Sequence, residues 1–317
     1  MRRLCGVAVL CAVGAVGFAR ERAHARATPP PSRVHVVAAA RKLLARHPAN
    51  VTLRAHTAHV AAVPPPLPLR AAARAGKRRR AEAAPDVKLP WADGQTAFDW
   101  RDLATLPTPA QQAHNRCFAE TAAVTLAVLW QRLTDTVAEF DPETLLRCAH
   151  DAPGAKGLPT DILRLQDTFD AAGECHPGGH GDGIQMAPRP LVLCDLAGDT
   201  HIENRLEDEM LPYAPVNVAI ESTNPVFRAY GGGVLLPEHV ETRRGVVDHA
   251  VSLVGFGADE TTGQEYWTLR NSWGEGWGED GFFRVERRRD GTGVLGSYAA
   301  VTTAHTVGDV HAPGATV

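Results

Sequence analysis

The chain has 317 residues, of which 44% are hydrophobic and 22% charged, with a net charge of −3. That balance suits one large folded domain with extensions, and it excludes collagen-like, prion-like and wholly disordered chains. The small net charge hides an asymmetry: residues 1–80 hold 16 Lys and Arg against one acid, Glu21, while the remainder holds 17 against 35 acids.

From the N-terminus, residues 1–19 read as a secretory signal peptide. Arg2 and Arg3 precede an apolar run from Leu4, and the small residues Gly17 and Ala19 stand where a signal peptidase reads. A plastid or mitochondrial address is the alternative, since the following stretch is rich in Ala and Arg. No other stretch is apolar enough to span a membrane, so no membrane span is expected. Residues 20–94 read as a basic pro-region and linker. The stretch from Val34 to Val63 has helical character, and Pro64-Pro65-Pro66 stops any helix. Asn50-Val51-Thr52 matches a glycosylation sequon. The Lys77-Arg78-Arg79-Arg80 run is either a processing site or a solvated charge cluster. The basic segment lacks aromatics for base stacking, so no nucleic-acid partner is expected. Lying on an acidic folded domain fits it better.

Folded-domain composition begins near Leu89 and defines a domain over 95–303, with 304–317 as a C-terminal tail. Cys117 to Leu133 is strongly helical and apolar on most faces, so a buried helix is predicted. Shorter helices are predicted over Glu143–Ala149, Thr160–Ala171 and Ile202–Leu211. Alternating strands follow at Val216–Ile220, His249–Val254, Tyr266–Arg270 and Gly281–Val285. Gly231-Gly232-Gly233 and the stretch from Asp259 to Gly263 read as turns. Helices first and strands later predict an α+β protein with two lobes.

Three constellations carry chemistry. Cys117 heads the long helix, where the helix dipole and a neighbouring imidazolium would favour a thiolate. The first-turn N–H groups there are free to bind an oxyanion. His249 opens an apolar strand. Asn271 ends another strand and is followed by the aromatic–glycine loop Ser272-Trp273-Gly274-Glu275-Gly276-Trp277-Gly278. An Asn amide oxygen can accept a His N–H and fix its tautomer. The spacings of 132 residues from Cys117 to His249 and 154 to Asn271 lie near the range for a Cys–His–Asn peptidase.

These motifs, with Leu89-Pro90 and Phe98-Asp99-Trp100-Arg101 upstream, resemble the papain family of cysteine peptidases, the cathepsins included. The resemblance runs from about Leu89 to Thr302. It implies a two-lobed fold with the site in the cleft, and a secreted or lysosomal precursor held inhibited by its own pro-region. It further implies monomeric action on peptide or protein substrates, without metal or cofactor. Carried over by position, Cys117 is the nucleophile, His249 the base, Asn271 its orienting residue and Gln111 the second oxyanion donor. Trp273, Gly157, Leu158 and Asp248 are implied in substrate binding, with Trp273 also covering the His–Asn contact. A disulfide from Cys148 is implied, to either Cys194 or Cys175. This sequence departs from the family at His114-Asn115-Arg116, which replaces a Cys-containing stretch, and at Ala155, where that Cys would find its partner. One bridge is therefore lost at both ends. The alternative reading is a catalytically inactive papain-fold protein that binds peptides or proteins.

Overall fold

The computed structural model describes residues 33–55, 90, 95–112, 116–150, 159–187, 190–194, 202–240, 247–288, 290, 292–295 and 298–310. The expected leader, the basic run at 77–80, His114, Ala155, Gly157 and Leu158 lie outside them.

The helical lobe is built on α2 (Cys117–Thr134). Its Ala and Leu residues favour helix, and Val124, Leu126 and Val128 are fully buried. The helix ends at Asp135, whose left-handed φ of 54° lets its N–H cap the Gln131 carbonyl. Against α2 pack α3 (Pro142–His150) and α4 (Pro159–Leu163). A small sheet completes the lobe, from β3 (Thr168–Phe169), β4 (Cys175–His176) and β5 (Gly183–Met186). Cys148 is bonded to Cys175, tying α3 to β4. Of the two partners left open for Cys148, Cys175 is therefore the one taken, and Cys194 is not.

The helix expected over 160–171 stops at Leu163. The Leu165 N–H closes a turn on the Ile162 carbonyl, and the chain then pairs Phe169 with Ile184 and Cys175 as a strand. The expected helix at 202–211 begins as α5 (Ile202–Arg205) and continues as a wider π turn over Leu206–Met210.

Among the described residues the second lobe is built on a nine-stranded sheet. Its elements are β6 (Leu191–Cys194), β7 (Val216–Ile220), the short α6 (Pro225–Arg228), β8 (Tyr230–Leu235), β9 (His249–Ala258), β10 (Glu265–Arg270), β11 (Phe282–Glu286) and β12 (Tyr298–Val301). β10 runs antiparallel between β9 and β11, and β7 lies on the other side of β9. α2 packs on β9, so the two lobes share a buried seam. Phe227, Trp273, Trp277 and Phe283 meet edge to face in the core of this lobe, with centroids 5.1–5.7 Å apart.

Each end of the two-lobed domain crosses to the other lobe. β2 (Phe98–Asp99) pairs with β9, ahead of the helical lobe in sequence. β13 (Ala304–Val307) returns to pair with β5 of the helical lobe. The segment expected as a tail from 304 therefore begins as a strand.

The upstream segment also docks. α1 (Arg33–Leu44) packs on α6, and β1 (Val51–Leu53) pairs antiparallel with β8 as an edge strand. The Arg54 N–H reaches the Ala229 carbonyl at 2.8 Å. Gly231–Gly233, expected as a turn, lies inside β8. Gly233 takes φ 93°, and a Cβ there would collide with the Asn50 carbonyl, so the bare backbone is what admits β1.

Candidate active site

Cys117 is the first residue of α2, half-buried at the lobe seam, and His249 is the first residue of β9. The thiol lies against the Ala250 N–H, one residue beyond His249. Crowding around the sulfur pushes the Cys117 thiol up to about 11, against the pull of the Ala250 and Phe118 N–H groups. Burial pulls the His249 imidazole down to about 4, opposed by its hydrogen bond to Asn271. Each charge taken alone is disfavoured here, so a proton moving from one group to the other must create both charges together.

β10 ends at Arg270 and delivers Asn271, which is fully buried. Asn271 Oδ1 accepts from His249 Nε2 at 2.7 Å and from the Ser272 N–H at 2.8 Å. A neutral ring that donates at Nε2 keeps its lone pair on Nδ1, the tautomer a base requires. Trp273 stacks on the imidazole, with centroids 5.1 Å apart and planes 26° apart. It is 5% exposed, and it shields the contact from water.

Gln111 is exposed and bridges to Trp273 through the backbone. Its neighbour Gln112 is held twice: its N–H donates to the Ser272 carbonyl at 2.8 Å, and its Oε1 accepts from Ser272 Oγ at 2.5 Å. The approach to Cys117 is thus sewn to the loop that carries Asn271.

Asp248, expected in substrate binding, has its carboxylate turned inward. It is 5% exposed and accepts the Ser222 N–H at 2.7 Å. Burial raises it above the usual carboxylate range, against that bond and the nearby Arg228 charge. Its side chain is therefore engaged at the β7–β9 connection. The structure brings Cys117, His249, Asn271, Gln111 and Trp273 to one seam. Among the described residues no group of His, Cys, Asp and Glu is arranged to hold a metal.

Two buried charged residues near the site escaped sequence reasoning. Glu120, one turn into α2, is 4% exposed, and Arg270, directly before Asn271, is 3% exposed. An acid within an otherwise apolar helix was the available signal.

A sequence profile described as papain family cysteine protease matches residues 95–303. The chain belongs to the papain family of cysteine proteases. Within that family it is 39% identical over 234 residues to a viral cathepsin of Adoxophyes honmai nucleopolyhedrovirus, covering 71% of this chain and 66% of that protein. It is 29% identical to papain of Carica papaya over 226 residues, 68% of this chain and 60% of papain. Cysteine protease 1 of Oryza sativa subsp. japonica is 30% identical over 204 residues, 60% of this chain and 40% of that protein. The chain spans between 40% and 66% of the length of these curated relatives. Among solved structures, digestive procathepsin L2 from Tenebrio molitor larval midgut matches with a TM-score of 0.50 and 26% identity, over 67% of this chain and 69% of that one. Bromelain from Ananas comosus shares the papain fold with a TM-score of 0.50 at 21% identity, over 66% of this chain and 99% of that one.

Proposed function

We propose that this papain-family chain is a cysteine peptidase that cleaves peptide bonds through Cys117, His249 and Asn271. The observation that carries the reading is the His249–Asn271–Trp273 arrangement beside a thiol at a helix start. Cys117 gives its proton to His249 Nδ1 as its sulfur attacks the peptide carbonyl. The Cys117 N–H and the Gln111 side-chain amide hold the developing oxyanion. His249 protonates the leaving amine, then takes a proton from water, which releases the acyl group from its thioester. Asn271 keeps the ring oriented throughout. No metal or organic cofactor enters these steps.

The kinship with a procathepsin supports synthesis as a precursor. The 33–55 segment docked on α6 and β8 then belongs to its pro-region, and a secretory route fits the signal-like N-terminus.

The test is alkylation of Cys117 by iodoacetamide across pH, beside His249→Ala, with a peptide library as substrate. An active pair gives fast, His249-dependent labelling that is already present in acid, together with cleavage. The second reading, an inactive binding protein, is favoured by the burial that holds both groups neutral. It gives labelling that climbs about tenfold per pH unit toward the thiol pKa of about 11, and no cleavage.

A further inference from the structure

One sequence motif takes no part in the chemistry at Cys117: the sequon Asn50-Val51-Thr52. The chain holds six asparagines, at 50, 115, 204, 217, 224 and 271, and only Asn50 has Ser or Thr two residues on. An attached oligosaccharide is bulky and polar, so such a triplet is usable only where the finished fold leaves its asparagine in solvent.

Asn50 stands at the corner where the chain leaves α1 and enters β1. The Val51 N–H donates to the Ala49 carbonyl at 2.9 Å, which makes Asn50 the middle residue of a tight turn. Its backbone is held inward, with the Asn50 carbonyl against Gly233 of β8, and the residue itself is exposed. Alternation along the strand places the rest of the motif. Val51 and Leu53 are half-buried and pack against the core, while Thr52 between them is exposed. The docked segment therefore keeps both the asparagine and the threonine in water. β1 is also the outermost strand of its sheet, with β8 on its inner side. An oligosaccharide at Asn50 covers one end of that sheet edge, a place native proteins shield against pairing with other chains.

We propose that Asn50 is a site of N-linked glycosylation, and that its glycan marks the precursor and leaves with the pro-region. The proposal rests on the secretory and pro-region readings and is independent of the chemistry at Cys117. The donor is an oligosaccharide joined to a lipid through a diphosphate, which the secretory compartment supplies. Asn50 Nδ2 attacks the first sugar carbon. The new C–N bond replaces the C–O bond to the diphosphate, which departs with the bonding electrons, and the Nδ2 proton passes to a base of the transferring enzyme. Transfer precedes docking, and the exposure of Asn50 lets the segment dock with the sugar in place.

The experiment expresses the full chain in cultured mammalian cells and compares its gel mobility before and after a peptide N-glycosidase, which releases N-linked sugar and leaves aspartate behind. The precursor is expected to shift, and its peptide spanning residue 50 to show Asp in place of Asn after treatment. The shift is expected to be lost in Asn50→Gln and in Thr52→Ala and kept in Thr52→Ser. Forms cut beyond residue 55 are expected to show no shift. A reporter tells whether the chain enters the secretory compartment at all: Asp290→Asn, made in the Asn50→Gln background, completes a sequon with Thr292 on an exposed turn of the folded domain. If the reporter is glycosylated and the wild-type precursor is not, this proposal alone is overturned. If neither is glycosylated, the secretory reading falls and this proposal with it. A wild-type shift that survives Asn50→Gln, or that persists in forms cut beyond residue 55, also overturns the proposal.

Discussion

Lowering the pH should loosen the docked 33–55 segment, and His239 is the residue expected to do it. His239 is 1% exposed. Its Nδ1 accepts the Leu236 N–H at 3.1 Å, so its Nε2 donates to the His47 carbonyl of the docked segment at 2.7 Å. A protonated ring has two N–H donors, and one would then face the Leu236 donor. Burial holds the ring below its ordinary 6.5, with the His47 charge acting the same way and the His47 carbonyl and Glu238 opposing. Release is expected to return the ring to water, so the docked state should bind fewer protons than the released state. Docking is at full strength above pH 6.5 and weakens as the pH falls below it. Losing one buried hydrogen bond costs about 1–3 kcal/mol, or about 5- to 150-fold in the docking constant. The assay is hydrogen exchange at the β1 amides and at Arg54 from pH 7.5 to pH 5, corrected for the intrinsic pH dependence of exchange. Wild type should lose protection as the pH falls, and His239→Gln, which does not titrate, should hold steady protection. Equal losses in both chains, or no loss in wild type, would refute the argument.

Asn271→Ala removes the acceptor for two donors, His249 Nε2–H and the Ser272 N–H, at a fully buried position. It should lower kcat/KM by about 5- to 150-fold, following a cost of about 1–3 kcal/mol, as read by steady-state kinetics. Replacing Cys148 and Cys175 together by Ser opens a loop of sequence separation 27 and should cost about 3.5 kcal/mol in urea unfolding. Gly233→Ala puts a Cβ at φ 93° against the Asn50 carbonyl, so hydrogen exchange over β1 should rise while Cys117 alkylation persists. Trp273→Ala removes the ring stacked on His249 from a packed aromatic cluster, and about 3–5 kcal/mol of stability should go with it in thermal unfolding.

The groups proposed to react were legible because each has a local cause: a Cys at a helix start, a His at a strand start, an Asn at a strand end. The strands at 216–220 and 266–270 were read from an alternating sequence pattern, although in the fold most positions of both are buried. What was not legible depends on partners far along the chain. Gly231–Gly233 looks like a turn until β1 approaches it from nearly 180 residues upstream. The run after Leu163 has helical composition, yet Thr168 and Phe169 are drawn into a sheet by Cys175 and Ile184. Asp248 next to His249 invited a place in the groove, but the Ser222 N–H claims its carboxylate.

The crossing of the domain's two ends fastens the two lobes to each other. β2 belongs by sequence to the start of the domain and by pairing to β9, while β13 belongs to its end and pairs with β5. The two lobes are therefore fastened like a coat crossed over and buttoned on both sides. A hinge motion that widens the gap by more than side-chain adjustments must strip a strand from its neighbour at one flank or the other. In the proposed peptidase, substrate would then meet a seam whose width is set beforehand by backbone hydrogen bonds at its margins, and discrimination would fall to the side chains that line it.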